Sequence, residues 1–301
     1  MRKSDASRNL LVALLVVYAG ARLLQVFPTR VPTLLIVVLH VLSPAIFAGI
    51  HGRRVFGGRG IVVFTMLCLA VGTFFESLSL RTGFPFGHYY FTGVMGPKVF
   101  DLPILLALAY VGVGYLAWVV ASLLVGARAS SGQGTFVLPW IAAAAMCAWD
   151  LAMDPVWANI DHAWVWLDGG GYFGVPFSNY FGWLLTTWVF YQAFALWLRR
   201  QEPRVATSGW DRLAVLMYGV VAAGNLLLAI PGAVPAAYPR IMNDAAGRQW
   251  MTTDVIGNCI LVSVFVLGPF AAIAWARAVG FKQETEEAAP QKACVDPVNV
   301  A

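Results

Sequence analysis

Eight stretches of this sequence qualify, or nearly qualify, as membrane spans: 9–27, 31–50, 60–80, 102–126, 135–153, 176–198, 212–234 and 254–276. Crossing ~30 Å of hydrocarbon takes about 20 mostly apolar helical residues. Inside lipid every backbone group must be paired within the protein, which leaves helices or a closed barrel. Barrel strands are short and alternate in polarity, and these runs do neither. The expected fold is an all-α polytopic transmembrane helical bundle of about eight helices, one domain over residues 1–281. Residues 282–301 are polar and are expected to form a disordered cytoplasmic tail. The count becomes seven if the first run is a signal peptide cleaved near Ala19-Gly20-Ala21. An uncleaved first helix fits better, because the rest of the chain also spans. Only 12% of residues are charged and 59% are hydrophobic, whereas a soluble domain is about a quarter charged. That excludes a soluble enzyme, a disordered chain and a nucleic-acid binder, despite the formal charge of +5.

Basic residues set the expected orientation. With the N-terminus in the cytoplasm, 14 of the 20 Lys and Arg fall on the inner side and five on the outer, with Arg22 inside the first helix. The expectation is a multi-pass protein of the cell membrane with both termini cytoplasmic. The acids run the other way. Of 15 Asp and Glu, eight map to outer loops or outer helix halves: Glu76, Asp101, Asp150, Asp154, Asp161, Asp168, Asp244 and Asp254. At ~1.5 Å per residue, Glu76 lies roughly 25 Å beyond Arg59 and Asp150 roughly 21 Å beyond Phe136. Both helices run outward, so the two acids reach similar depth. Asp154 follows Asp150 by four residues and shares its helix face, with Pro155 casting doubt on how far that helix continues. An ionisable group in a span costs ~2.5–3.5 kcal/mol or more and marks a functional candidate. The plainer alternative is a carboxyl that hydrogen-bonds helices together. Asp101 and Asp254 are expected to cap the fourth and eighth helices.

The loops 82–100 and 154–176 are rich in Phe, Tyr, Trp and Gly. Such rings commonly form an interfacial belt, yet aromatics, Gly turns and embedded acids together also describe a pocket for a long apolar ligand. His88 and His162 lie on this side without HxxxH spacing, and Cys68, Cys147, Cys259 and Cys294 form no CxxC, so neither metal nor cofactor is expected. Asn225, near mid-bilayer, reads as a helix–helix hydrogen-bonding residue. Residues 85–89 (PFGHY) faintly echo 176–180 (PFSNY), which raises an internal repeat.

The run Glu76…Thr82-Gly83-Phe84-Pro85-Phe86-Gly87-His88-Tyr89-Tyr90 resembles the E…TGxPFGxYxY signature of the integral-membrane carotenoid biosynthesis family. That family includes carotenoid 1,2-hydratases of the γ-carotene and bisanhydrobacterioruberin hydratase type. A second match comprises Trp149-Asp150-Leu151, Met153-Asp154-Pro155 and Trp164-Val165-Trp166, then Gly171-Tyr172-Phe173-Gly174-Val175-Pro176, Asn179 and Gly182-Trp183. Together the motifs cover about a third of the chain. The resemblance implies a hydro-lyase that adds water to the terminal double bond of an acyclic carotenoid end group, giving a tertiary alcohol. It implies an apolar carotenoid substrate in the bilayer, and leaves room for other carotenoid-pathway enzymes as partners.

The chemistry agrees with that implication. Protonating a trisubstituted alkene needs a carboxylic acid kept neutral by an apolar site. The tertiary cation that forms is stabilised by aromatic faces, and a second carboxylate takes a proton from the attacking water. Asp150 is the expected acid, with Glu76 or Asp154 holding the water. Tyr89, Phe86, His88, Trp149, Trp157, Phe177, Asn179 and Trp183 are the expected substrate-binding residues. Two alternatives are weighed: another membrane lipid- or isoprenoid-modifying enzyme, with or without a metal, and a non-enzymatic carotenoid or lipid binder or transporter. A proton-coupled transporter would spread its acids toward both faces, whereas these gather toward one. A prenyltransferase would add basic diphosphate-binding residues to the DxxxD spacing of Asp150 and Asp154, and only Arg81 and Lys98 lie near.

Overall fold

The computed structural model describes residues 3–27, 29–126, 132, 134–201, 208–230 and 240–287. The helices are α1 (Lys3–Leu24), α2 (Thr33–Thr82), α3 (Ile104–Val125), α4 (Gly134–Asn159), α5 (Phe177–Leu198), α6 (Ser208–Leu226), α7 (Thr252–Val262) and α8 (Gly268–Glu287). A π turn over Ser263–Leu267 joins α7 to α8. Among the described residues seven helices are long and apolar enough to cross a membrane, one being the 50-residue α2. That helix breaks at Gly57, where φ is 76° and ψ 172°. A residue with a Cβ is strained there and glycine is not. The two limbs, 33–56 and 58–82, are each long enough to cross ~30 Å. The second and third apolar runs are thus two limbs of one element, joined at a hinge rather than by a loop.

Helix α3 is central. It packs against α2, α4, α6 and α8, and most of its residues are buried. Helix α4 passes through two prolines, Pro139 and Pro155. Each lacks the N–H that would bond the carbonyl four residues back. In both cases another side chain takes that carbonyl. Gln192 Nε2 donates to Thr135 O at 3.1 Å and Tyr172 OH donates to Leu151 O at 3.2 Å. The helix therefore continues beyond Pro155, and Asp150 and Asp154 stay on one face.

Short strands occupy the connections at one end of the bundle. Strand β1 (Tyr89–Phe91) pairs antiparallel with β4 (Trp164–Trp166), Tyr89 opposite Trp166 and Phe91 opposite Trp164. Strands β2 (Lys98–Val99) and β3 (Leu102–Pro103) form a tight hairpin, and β5 (Ile241–Asn243) pairs with β6 (Gln249–Met251).

Three expectations about local structure change. Asp101 is not a helix cap: with Phe100 it forms the β2–β3 turn, where their φ angles are 67° and 50°. Positive φ at both central residues is what a two-residue hairpin turn requires, and Pro103 precedes α3 instead. Asp254 lies within the first turn of α7, after Met251 at the cap position. Helix α8 itself runs to Glu287, through the helix-favouring sequence Lys282-Gln283-Glu284. Residues 288–301, including Cys294, lie outside the described residues. The two PFxxY segments are not structural equivalents. Residues 85–89 are turn and strand, whereas 177–180 open α5, and the two touch through Ser178 Oγ donating to Phe86 O at 2.8 Å.

Candidate active site

Three helix ends and one strand pair converge beneath the β1–β4 ladder. Glu76 sits in the last two turns of α2, Asp150 and Asp154 in the last turns of α4, and Asn179 in the first turn of α5. None of the four is more than 3% exposed. With Phe86, Tyr89, Phe91, Leu106, Trp164, Trp166 and Trp183 they line one cavity of about 30 Å³. At ~10–15 Å³ per water-sized probe that is room for about two water molecules.

The hydrogen bonds divide the three acids. Glu76 accepts from two phenols, Tyr89 OH on Oε2 and Tyr110 OH on Oε1, the latter at 2.7 Å. Asp154 accepts from three N–H groups: Trp164 Nε1 at 2.7 Å and Trp166 Nε1 at 3.3 Å on Oδ1, and Asn179 Nδ2 at 2.6 Å on Oδ2. Indole and amide N–H groups only donate, so both Asp154 oxygens act as acceptors. Asp150 accepts from the same Asn179 Nδ2 at 2.9 Å, its sole bond among those described. One amide nitrogen therefore bridges the two aspartates. No Lys or Arg lines this cavity. Burial first, and the Glu76 charge second, hold the Tyr89 phenol well above its usual range. It stays a donor.

Rings wall the acids on several sides. Tyr110 stacks on Trp183 with centroids 4.7 Å apart and planes 8° apart. Tyr89 lies 4.7 Å from Trp166 across the ladder. Gly182 lets Phe86 close the wall: a Cβ there would stand 2.5 Å from Phe86 Cδ1.

Of the residues expected from sequence, Glu76, Asp150, Asp154, Tyr89, Phe86, Asn179 and Trp183 meet in this cavity. Four stand elsewhere. His88 is at the surface, its Nδ1 2.8 Å from Asp168 Oδ2, with both side chains more than half exposed. Phe177 is 60% exposed. Trp149 touches Trp183 edge-on but lines a neighbouring cavity, as does Trp157, which lies parallel to Trp164. Tyr110, Phe91 and Leu106 are lining or bonding residues that sequence reasoning did not single out. Tyr110 sits in an unbroken apolar run and carries no signal distinguishing it from a core aromatic. Among the described residues no three His, Cys, Asp or Glu are grouped to hold a metal ion.

A profile described as "Carotenoid biosynthesis protein" matches residues 32–242. This is well over half of the chain and contains every acid of the cavity. The chain belongs to the carotenoid biosynthesis protein family. It is also similar to the bisanhydrobacterioruberin hydratase of Haloarcula japonica, 30% identical over 130 residues. That match spans 43% of this chain and 41% of the relative, less than half of either. No solved structure matches the chain. Family membership and the apolar helices agree on a protein of carotenoid biosynthesis with several membrane-spanning helices.

Proposed function

We propose that this chain is a carotenoid hydratase, adding water across the terminal double bond of an acyclic end group. The observation that carries the reading is the Asn179 bridge: two aspartates with unequal donor sets share one amide, beside a third acid, in a ring-walled cavity without a cation. Three negative charges buried together without a cation would cost several kcal/mol each, so the cluster holds at least one proton. Asp150, with the smallest donor set, is the group that carries it. It protonates the less substituted alkene carbon, leaving a tertiary cation. Asp154, ringed by N–H donors, faces that cation as a carboxylate, and the faces of Tyr89, Trp166 and Trp183 add cation–π attraction. Water attacks the tertiary carbon. Its proton passes to Glu76, whose phenol partners also exchange protons, and then back to Asp150. One water is consumed and no other reagent is needed.

The cavity admits the water but is too small for a branched end group, so the substrate enters by displacing rings at its wall. With both termini cytoplasmic, as the basic residues favour, the site lies in the outer half of the bilayer. The relative's printed name supports the same reaction class. Expression in a lycopene- or γ-carotene-producing host, with mass analysis of the pigments, tests the proposal. A pigment that gains one water supports it. Unchanged pigments with several acyclic substrates favour a binding or transport role.

A further inference from the structure

The acid cavity backs onto a second, mostly apolar cavity of about 60 Å³. The two share only Leu106 and Trp164. On the far side of that partition stand Val37 and Val41 of α2, Ala109 of α3 and Met95 of the loop between β1 and β2. The second space has room for about four to six water molecules, but apolar walls of this kind suit hydrocarbon better than water.

Met95 stops this space on its outer side. It is 4% exposed although it belongs to a surface loop. The next residue, Gly96, wedges between the outer ends of α2 and α3. Its φ is 77°, and a Cβ there would stand 3.1 Å from Leu34 Cδ1 and 3.9 Å from Leu105 Cδ1. Glycine tolerates both that backbone and that close approach. Beyond the wedge the surface is apolar and open. Leu34 and Ile104 are each 44% exposed, and Phe100, in the β2–β3 turn, is 85% exposed. Leu34 and Ile104 lie in the first turns of two membrane-spanning helices, so lipid is what surrounds them. The loop is held by its own ends: Val94 N donates to Thr92 Oγ1 at 3.2 Å, Gly96 N to Gly93 O at 3.1 Å, and Lys98 Nζ to Phe91 O. It can shift without unpairing the backbone of either helix. An unbranched thioether such as Met95 also swings aside at little cost.

A carotenoid polyene is a stiff rod, far longer than the acid cavity. Its route from the acids must therefore reach lipid without a bend. Leu106 and then Met95 stand between the acids and the lipid-facing Leu34 and Ile104. We infer that this mouth, between the outer ends of α2 and α3, is where the substrate enters and where its hydrocarbon chain lies. The end group sits at the acids, the next few carbons pass Leu106 beneath Met95, and the rest of the chain stays in lipid. Leu106 and the Trp164 ring are then the part of the wall that the entering end group displaces. The inference rests on the hydratase reading only for the chemistry at the acids, and holds for any polyene whose end reaches them.

The test reads entry rather than turnover. The purified full chain in detergent micelles is mixed rapidly with lycopene-loaded micelles. Lycopene is achiral, so the circular dichroism it acquires in an asymmetric seat reports the bound pigment. Met95→Trp fills the mouth and should slow uptake and release about tenfold or more, the effect of one overpacked ring. Met95→Ala leaves less side chain to move and should speed both about threefold or more. A misfolded protein cannot take up pigment faster, so the second variant keeps the test decisive. Phe181→Trp, on a face of α5 that is 71% exposed at this residue, should change neither rate. Parental rates in both Met95 variants overturn the inference. So does a Phe181→Trp variant slowed as much as Met95→Trp, or a parent protein that lycopene does not enter. A parent that takes up lycopene at rates set by residue 95 but hydrates no acyclic pigment refutes the hydratase reading alone.

Discussion

Replacing Asp150 and Asp154 separately by asparagine should give two different outcomes, because their hydrogen bonds differ. In Asp150→Asn the new amide oxygen can still accept from Asn179 Nδ2, the one bond described for that side chain. The fold loses almost nothing, but the group proposed as proton donor is gone. General acid catalysis contributes about 10²–10⁴-fold, or roughly 3–5 kcal/mol of barrier at ~1.36 kcal/mol per tenfold. In Asp154→Asn the new NH₂ must face either the two indole N–H groups or the Asn179 amide, all donors. At least one bond is replaced by a donor–donor contact, and charge-assisted bonds of this kind are worth roughly 1.5–3 kcal/mol each. Asp154→Asn should therefore unfold at a clearly lower temperature than Asp150→Asn, while both lose hydration. The assay pairs pigment mass analysis in a carotenoid-producing host with thermal melts of the purified variants. If Asp150→Asn keeps more than a tenth of parental hydration, its role as the acid is wrong. If it melts as low as Asp154→Asn, the donor inventory is wrong.

Tyr110→Phe keeps the ring stacked on Trp183 but removes one donor from Glu76; hydration should fall about tenfold with a stability cost of roughly 1–3 kcal/mol, read by the same two assays. Gly182→Ala should push Phe86 into the acid cavity. It should reduce activity at a cost of about 1–3 kcal/mol for overpacking, and a variant with parental activity would show that Phe86 does not wall the substrate. His88→Ala should leave hydration unchanged, because an exposed ion pair contributes only about 0–1 kcal/mol. Burial pushes the Asp161 carboxyl from 3.8 up to about 7. The folded state then binds more protons than the unfolded one between those values, so this group's contribution makes stability fall as pH rises from about 4 to 7. Asp161→Asn should flatten that part of a melting-temperature profile, and an unchanged slope would contradict it.

The bundle was legible because one physical demand, pairing the backbone in lipid, overrides every local preference in runs this long. The acids were legible for a related reason: a carboxyl on a spanning helix is expensive, so Glu76 and Asp150 stand out in any reading. Four-residue spacing tied Asp154 to Asp150, and Tyr172 resolves the doubt raised by Pro155 by capping the freed Leu151 carbonyl. What the sequence hid was long-range. Nothing local says that residues 89–91 pair with 164–166, since three-residue strands leave no periodicity to read. Tyr110 looked like packing, and only its contact with Glu76, 34 positions away, says otherwise. His88 sits one residue from Tyr89 and shares its motif. His88 stands just before β1 and pairs with Asp168 at the surface, whereas Tyr89, the first strand residue, reaches Glu76.

The β1–β4 ladder carries Tyr89, which serves Glu76, and Trp164 and Trp166, which serve Asp154. Side chains alternate faces along a strand, so slipping the pairing by one position turns such a set the other way. An insertion or deletion of one residue inside either strand would therefore strip donors from two acids at once. A change of length within the turns around 93–97 or 168–171 would leave that pairing alone. Loop-length variants built at the two kinds of position should separate sharply in function, which makes these six paired residues the reading frame of the cover over the acid cavity.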